Sequence, residues 1–215
     1  MRDWDLYQKL QAEVAYREGL GTLPQTASVH HTGAREHLGA KGSLLIVGPG
    51  GPHEIQALDL SGPTTALTNH EPEEKALCIA LPDVDVVLGD MHEMPFHNDS
   101  FDRLYASNVL EHALAPYVAL LECRRVMPYG GLAYFVMPDF AGAEGGRGPF
   151  HLHCLTREVW EELMRKAGFV VSRVDTVKGA EDPSYTYYEY RCQACDPPDP
   201  HNRMLAALRT RHEVP

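Results

Sequence analysis

The chain has 215 residues, 44% apolar and 23% charged, a composition that fits one globular domain and excludes a disordered or fibrous polypeptide. Its formal net charge of −11 argues against a nucleic-acid partner, which needs a basic face to displace counterions. No apolar run approaches the ~20 residues of a membrane helix, Met1-Arg2-Asp3-Trp4-Asp5 does not read as a signal peptide, and Cys78, Cys123, Cys154, Cys192 and Cys195 read as reduced thiols, so no membrane partner and a cytoplasmic location are expected.

Residues 2–18 place Trp4, Leu6, Tyr7, Leu10, Val14 and Tyr16 at roughly helical spacing, and Gly19, Gly21 and Pro24 end that helix. Residues 22–42 read as a polar connection with a short helix at 33–40. Ser43 to Val47 is a continuous apolar run that ends in Gly48-Pro49-Gly50-Gly51-Pro52, as a buried parallel strand entering a glycine turn does. A short helix over 53–60, a strand over Thr64 to Thr68, a helix over 72–80 with Pro72 at its first position and a strand over Val84 to Leu88 follow. Next come a strand over Phe101 to Ala106, a helix over 112–126, a turn at Pro128 to Gly131 and a strand over Leu132 to Met137. The glycine-rich stretch 140–150 reads as a loop. Thr156 is expected to cap a helix over 157–167, which Gly168 ends. Phe169 to Val177 and Tyr185 to Cys192 are the last two strands, the final one antiparallel.

Strands alternating with helices predict an α/β fold with a mostly parallel sheet covered on both faces. The closing pair, with no helix between them, predicts an antiparallel hairpin at one edge. The expected division is an N-terminal helical extension over 1–42, a main domain over 43–195 and a tail over 196–215.

In an open α/β sheet, ligands bind beyond the carboxyl ends of the strands. Gly48 to Pro52 stands at such an end, where glycine lets the backbone approach a ligand. A dinucleotide pattern would want glycine at 53, where His53 stands, so this turn alone identifies no ligand. Two further blocks are more specific. One runs from Val87-Leu88-Gly89-Asp90-Met91 through Pro95-Phe96 and Phe101-Asp102 to Leu110-Glu111-His112. The other is Glu122-Cys123-Arg124-Arg125-Val126-Met127-Pro128-Tyr129-Gly130-Gly131, followed later by Lys166-Ala167-Gly168-Phe169. Over about residues 43–175, these resemble the small-molecule, UbiE-like branch of the class I S-adenosylmethionine-dependent methyltransferases.

That resemblance implies a Rossmann-like three-layer sandwich with a seven-stranded sheet. The implied cofactor is S-adenosylmethionine, with S-adenosylhomocysteine as product. Gly48, Pro49 and Gly50 would form the turn beside its methionine and ribose parts. Asp90 would accept from the adenine amine, and the Met91 amide would meet a ring nitrogen. Ser107 and Asn108 would form the backbone floor near the methionine end. Two positions depart from the pattern. Asn69 stands where the second strand normally ends in an acidic residue for the ribose, with Glu71 a possible substitute and Asp59 too early. An amide loses the charge-assisted bond, which is roughly twice as strong as a neutral one. Pro52 replaces the third glycine of the turn.

The resemblance puts His112 first as a base for a hydroxyl or ammonium acceptor; holding a loop or capping its helix is the other reading. Glu111 reads as a carboxylate at a helix N-terminus. His151 and His153 could line the acceptor pocket or sit on a solvated loop. Tyr105, Tyr134, Asp139 and Phe140 are further strand-end candidates. Cys192 and Cys195 form a single C-x-x-C, short of the four ligands of a zinc site, so no metal is expected. A small-molecule acceptor is the expected partner. Residues 2–18 could be a lid over the cofactor or a homodimer contact. A binding module with a degenerate cofactor site is the rival reading. A nucleic-acid or protein methyltransferase, using Arg203, Arg209 and Arg211, is a third. No Asn-Pro-Pro-Tyr segment follows the fourth strand, where amino-methylating DNA enzymes carry one.

Overall fold

The run before the glycine turn becomes a central strand because nothing in it needs water: Leu44, Leu45, Ile46 and Val47 are all buried. The computed structural model describes residues 27–58, 61–139, 151–179 and 186–196. Its elements run α1 (Ala27–Leu38), β1 (Leu44–Val47), α2 (Pro52–Leu58), β2 (Thr64–Thr68), α3 (Glu71–Ala80), β3 (Asp85–Leu88), β4 (Arg103–Ser107), a 3-10 turn (Leu110–His112), α4 (Pro116–Arg125), β5 (Leu132–Pro138), α5 (Arg157–Ala167), β6 (Phe169–Lys178) and β7 (Thr186–Ala194).

The strands form one seven-stranded sheet in the order β3-β2-β1-β4-β5-β7-β6. β1 to β5 pair in parallel, and β7 lies antiparallel between β5 and β6. The winding reverses between β1 and β4, so their carboxyl ends open the crevice where such sheets take ligands. Strand residues alternate between two cores, as the period of two requires. Leu45, Val47, Leu104, Ala106 and Phe135 face α4 and α5, where Trp160 and Met164 are buried. Leu44, Ile46, Tyr105, Tyr134 and Val136 face α1 to α3, with Leu38, Leu58 and Leu77. Helices on both faces of the sheet make the three-layer α/β sandwich expected. Among the described residues, no helix is long and apolar enough to cross a membrane.

Several elements differ from the sequence reading. α1 fills much of what reads as a polar connection. Its buried face carries His30 and His31 beside Ala34 and Leu38, so half of it is polar. His30 Nδ1 lies 2.7 Å from Glu189 Oε1 on β7, and the Tyr134 hydroxyl donates to the same carboxylate. The expected helix over 112–126 is split into the 3-10 turn and α4. Pro116 lacks the N–H a continuing helix would need and disfavours helical backbone at Ala115. Thr156 sits at the cap position of α5, but its side chain makes no cap bond. Glu71, not Pro72, opens α3. The helix over 2–18, Asp59, the loop 140–150 with Phe140, Tyr185 and the arginines of the tail lie outside the described residues.

Candidate active site

The loops after four parallel strands build the site. After β1, Gly48 takes a left-handed φ of 60°, and its N–H donates to the Leu67 carbonyl at 2.8 Å. A Cβ on Gly48 would lie 2.5 Å from Val109 Cγ2, so the turn presses against the loop after β4. Gly50 is exposed at the tip, and among the described residues a Cβ there would meet only Glu54 Oε2, at 3.7 Å. A ligand can therefore reach this backbone. Pro49 is buried between the two glycines. Pro52 opens α2, a position where the missing N–H of proline is unneeded, so this departure from the pattern leaves the turn intact.

Asn69 is half-buried just beyond the end of β2. Glu71, the expected substitute acid, has a side chain 63% exposed and pairs with Lys75 Nζ at 2.6 Å. Glu73 is the acid turned back to the strand end instead. The Thr68 hydroxyl donates to Glu73 Oε2 at 2.5 Å, and Thr68 Oγ1 accepts from the His70 N–H at 3.2 Å. Burial raises the Glu73 pKa, partly offset by the Thr68 bond.

Glu54, on the first turn of α2, is the second acid here. It is buried and accepts from the Tyr105 hydroxyl at 3.2 Å. Tyr105 itself is 1% exposed, beneath α2. Its hydroxyl serves Glu54, which removes it from the acceptor-lining role expected of it. Burial pushes the Glu54 carboxyl up from 4.5 to about 7; the Tyr105 bond opposes this and the Glu73 charge adds to it. A carboxyl raised on folding contributes stability in full below its unfolded pKa and loses it as pH rises through the folded value. At ~1.4 kcal/mol per pH unit, the cost of the ionised group at pH 8 is about 3 kcal/mol. Glu54→Gln should therefore unfold like the parent protein at pH 4.5 and be more stable by up to that amount at pH 8. Urea unfolding at the two pH values measures it; equal stability at both would show that Glu54 ionises freely.

After β3, Asp90 Oδ1 accepts from the His92 N–H at 2.8 Å and lies 2.6 Å from His92 Nδ1. The Ala115 N–H donates to His92 Nε2 at 3.2 Å. His92 therefore carries its proton on Nδ1 and donates it to Asp90. Met91, half-buried, lies between them. This loop is clamped from α4. Glu122 accepts from the Met94 N–H at 2.9 Å, while Arg125 donates to the Phe96 carbonyl at 2.7 Å and the Met94 carbonyl at 3.0 Å. Arg125 also donates to Glu122 at 2.8 and 2.9 Å. The Glu122-x-x-Arg125 spacing is thus a brace for the loop that carries Asp90.

After β4, Ser107 is buried and Asn108 takes a left-handed φ of 48°, its side-chain amide donating to Ser107 Oγ at 3.1 Å. The 3-10 turn follows. Glu111 stands in the first turn of this short helix and is 0% exposed. Burial pushes its carboxyl up to about 8. Its backbone carbonyl accepts from the N–H groups of Leu152 at 3.0 Å and His153 at 3.1 Å, which docks the segment before α5 onto the turn. The rings of His112 and His151 stand 4.8 Å apart, His112 Nε2 is 3.9 Å from Glu111 Oε1, and His153 Nε2 is 3.3 Å from the Leu114 carbonyl. The structure thus gathers His112, His151 and His153 around Glu111. Tyr134 packs under α1 and Asp139 follows β5. Cys192 is a core residue whose thiol lies 4.0 Å from the Met164 sulfur.

His92, Glu54, Glu73 and the buried state of Glu111 escaped sequence reasoning. The one local signal was the two-residue spacing of Asp90 and His92, which suits a side chain folding back on its own turn.

Residues 40–135 match the methyltransferase domain family. That stretch runs from just before β1 into β5 of the sheet. Over 60 residues, 28% of this chain and 17% of the relative, it is 42% identical to the uncharacterized 37.1 kDa protein in transposon TN4556 of Streptomyces fradiae. Over 69 residues, 32% of this chain and 21% of the relative, it is 30% identical to the chloroplastic 2-methyl-6-phytyl-1,4-hydroquinone methyltransferase 1 of Oryza sativa subsp. japonica. The chain thus spans about a fifth of the length of these two relatives. Among solved structures, the Burkholderia thailandensis 1,6-didemethyltoxoflavin-N1-methyltransferase with bound 1,6-didemethyltoxoflavin and S-adenosylhomocysteine superposes with a TM-score of 0.72 at 20% identity, over 87% of this chain and 88% of that one. That likeness is one of fold.

Proposed function

We propose that the chain transfers a methyl group from S-adenosylmethionine to a small-molecule acceptor and releases S-adenosylhomocysteine. The observation that carries this reading is the convergence of the four strand-end loops. The open backbone of Gly48, Pro49 and Gly50, the fixed Asp90-Met91 loop and the Ser107-Asn108 floor stand at one edge of the sheet, in the places the family pattern assigns to the cofactor. Asp90 accepts from the adenine amine and the Met91 amide meets a ring nitrogen. Asn69 and Glu73 share the ribose hydroxyls, the amide supplying a donor and the acid the acceptor that the pattern otherwise lacks.

The acceptor enters on the side of His112, His151 and His153. An electron pair of the acceptor, a lone pair on O or N or a π or carbanion pair at C, forms the new bond to the methyl carbon as the carbon–sulfur bond breaks, and the electron pair of that bond stays on sulfur. The chain supplies position and orientation. A hydroxyl or ammonium acceptor must also lose a proton, and His112 is the base candidate on that side.

Calorimetric titration with S-adenosylmethionine tests the cofactor half, and a screen of small acceptors for S-adenosylhomocysteine release tests the rest. Micromolar binding is expected. Glu73→Gln should bind ~10-fold or more weakly, the cost of one hydrogen bond to a charged group. Equal binding by parent and variant would return the ribose to Asn69 alone. No binding by the parent protein would favour a degenerate module, as Asn69 first suggests.

A further inference from the structure

Neither carboxylate oxygen of Glu111 has a hydrogen-bond partner among the described residues, although the side chain is wholly buried. Native proteins rarely leave a buried carboxylate so, and an ion is one of the few things that explains it. Glu111, His112 and His151 each present a ligating atom, and all three atoms lie within 4.8 Å of one another. Donors ~2.0–2.2 Å from a common ion stand roughly 3–4 Å apart, so side-chain adjustments under ~1 Å close the set. The two segments are already locked together, because the Glu111 carbonyl holds the Leu152 and His153 amides.

We propose that Glu111, His112 and His151 form a binding site for one divalent first-row transition cation. Two imidazole nitrogens and one carboxylate favour zinc, iron or cobalt over magnesium or calcium, which prefer all-oxygen shells. Three protein ligands leave positions for water or for an oxygen of the acceptor. What the cation does there rests on the methyl-transfer reading: an acceptor hydroxyl bound to it loses its proton more readily. His112 then serves as a ligand and not as the base. Binding of the cation itself requires no methyl transfer.

The test uses the full, tag-free chain, stripped with a chelator and dialysed, then titrated with cobalt(II) and with zinc(II). One equivalent should bind with micromolar affinity or better, cobalt should give visible absorption bands, and zinc should remove them. Glu111→Gln and His151→Gln should each weaken binding ~10-fold or more. His97→Gln, on an exposed loop, should leave it unchanged. Circular dichroism confirms that the buried variant is folded, and His151→Gln, half-buried on a loop, does not depend on that check. Parental affinity in both variants, or no cobalt spectrum, overturns the site. Titrating the same samples with S-adenosylmethionine separates the two claims. Cofactor binding without the cation defeats the site alone, and cation binding without the cofactor defeats the methyl-transfer reading alone.

Discussion

Arg103→Met will lower the free energy of unfolding by about 3–5 kcal/mol, because three backbone carbonyls lose a charged donor at ~1–3 kcal/mol each. Arg103 opens β4 and is 1% exposed. Its Nη1 donates to the Gly39 carbonyl at 2.6 Å, and its Nη2 donates to the Gly42 carbonyl at 2.6 Å and the Ser61 carbonyl at 2.7 Å. Those carbonyls close three connections: the turn after α1, the entry to β1 and the entry to β2. Gly42 and Gly62 make the room, with φ of 93° and 107°. A Cβ on Gly62 would lie 2.7 Å from the Gly42 carbonyl oxygen and 3.1 Å from Arg103 Nη2. Methionine keeps the apolar stem and leaves all three carbonyls without their donor. For a chain of this size, the loss corresponds to a fall of roughly 10 °C in Tm. Urea unfolding followed by circular dichroism measures it, and a cost below ~1 kcal/mol would mean that water replaces the guanidinium. Arg103 lies at the amino ends of the strands, opposite the ligand edge, so the folded variant should bind S-adenosylmethionine as the parent does.

Arg103 also illustrates what a linear reading misses. An arginine at the start of a strand looks like a surface residue, and only the meeting of three distant loops makes it a buried hub. The strands were legible because their signal is local: β1 is all apolar and runs into glycine, and the later strands sit between recognisable turns. α1 is legible only in its second half, as the short helix expected over 33–40, for the opposite reason. Its inward face carries two histidines beside Ala34 and Leu38, and that polarity is matched by Glu189 some 160 residues away. The same contrast divides the site. Gly48, Asp90 and Asn108 lie in motifs, which is what singles them out in the sequence. Glu54, Glu73 and Glu111 are acids whose importance comes from burial, which composition and spacing do not encode. The first turn of α3 divides its acids in the same way, with Glu71 paired to Lys75 at the surface and Glu73 turned back on Thr68.

Asp90→Asn will keep its loop and lose the cofactor. The amide oxygen of asparagine can still accept from the His92 N–H and from His92 Nδ1, so the turn that Asp90 now closes survives. The second position changes from an acceptor to an NH2 group, a donor. If Asp90 accepts from the adenine amine, that contact becomes donor against donor. The lost charge-assisted bond alone accounts for about 1.5–3 kcal/mol, or ~10- to 100-fold in affinity, and the mismatch adds to it. Asp90→Ala removes the turn as well, so it should bind as poorly and also unfold ~1–2 kcal/mol more easily. The pair of variants separates recognition from scaffolding. Weak binding in both, with parental stability only in Asp90→Asn, assigns the carboxylate to adenine. Parental binding in Asp90→Asn would leave Asp90 as a loop-closing residue that holds Met91 in place through His92, and would move adenine recognition onto the backbone of that loop.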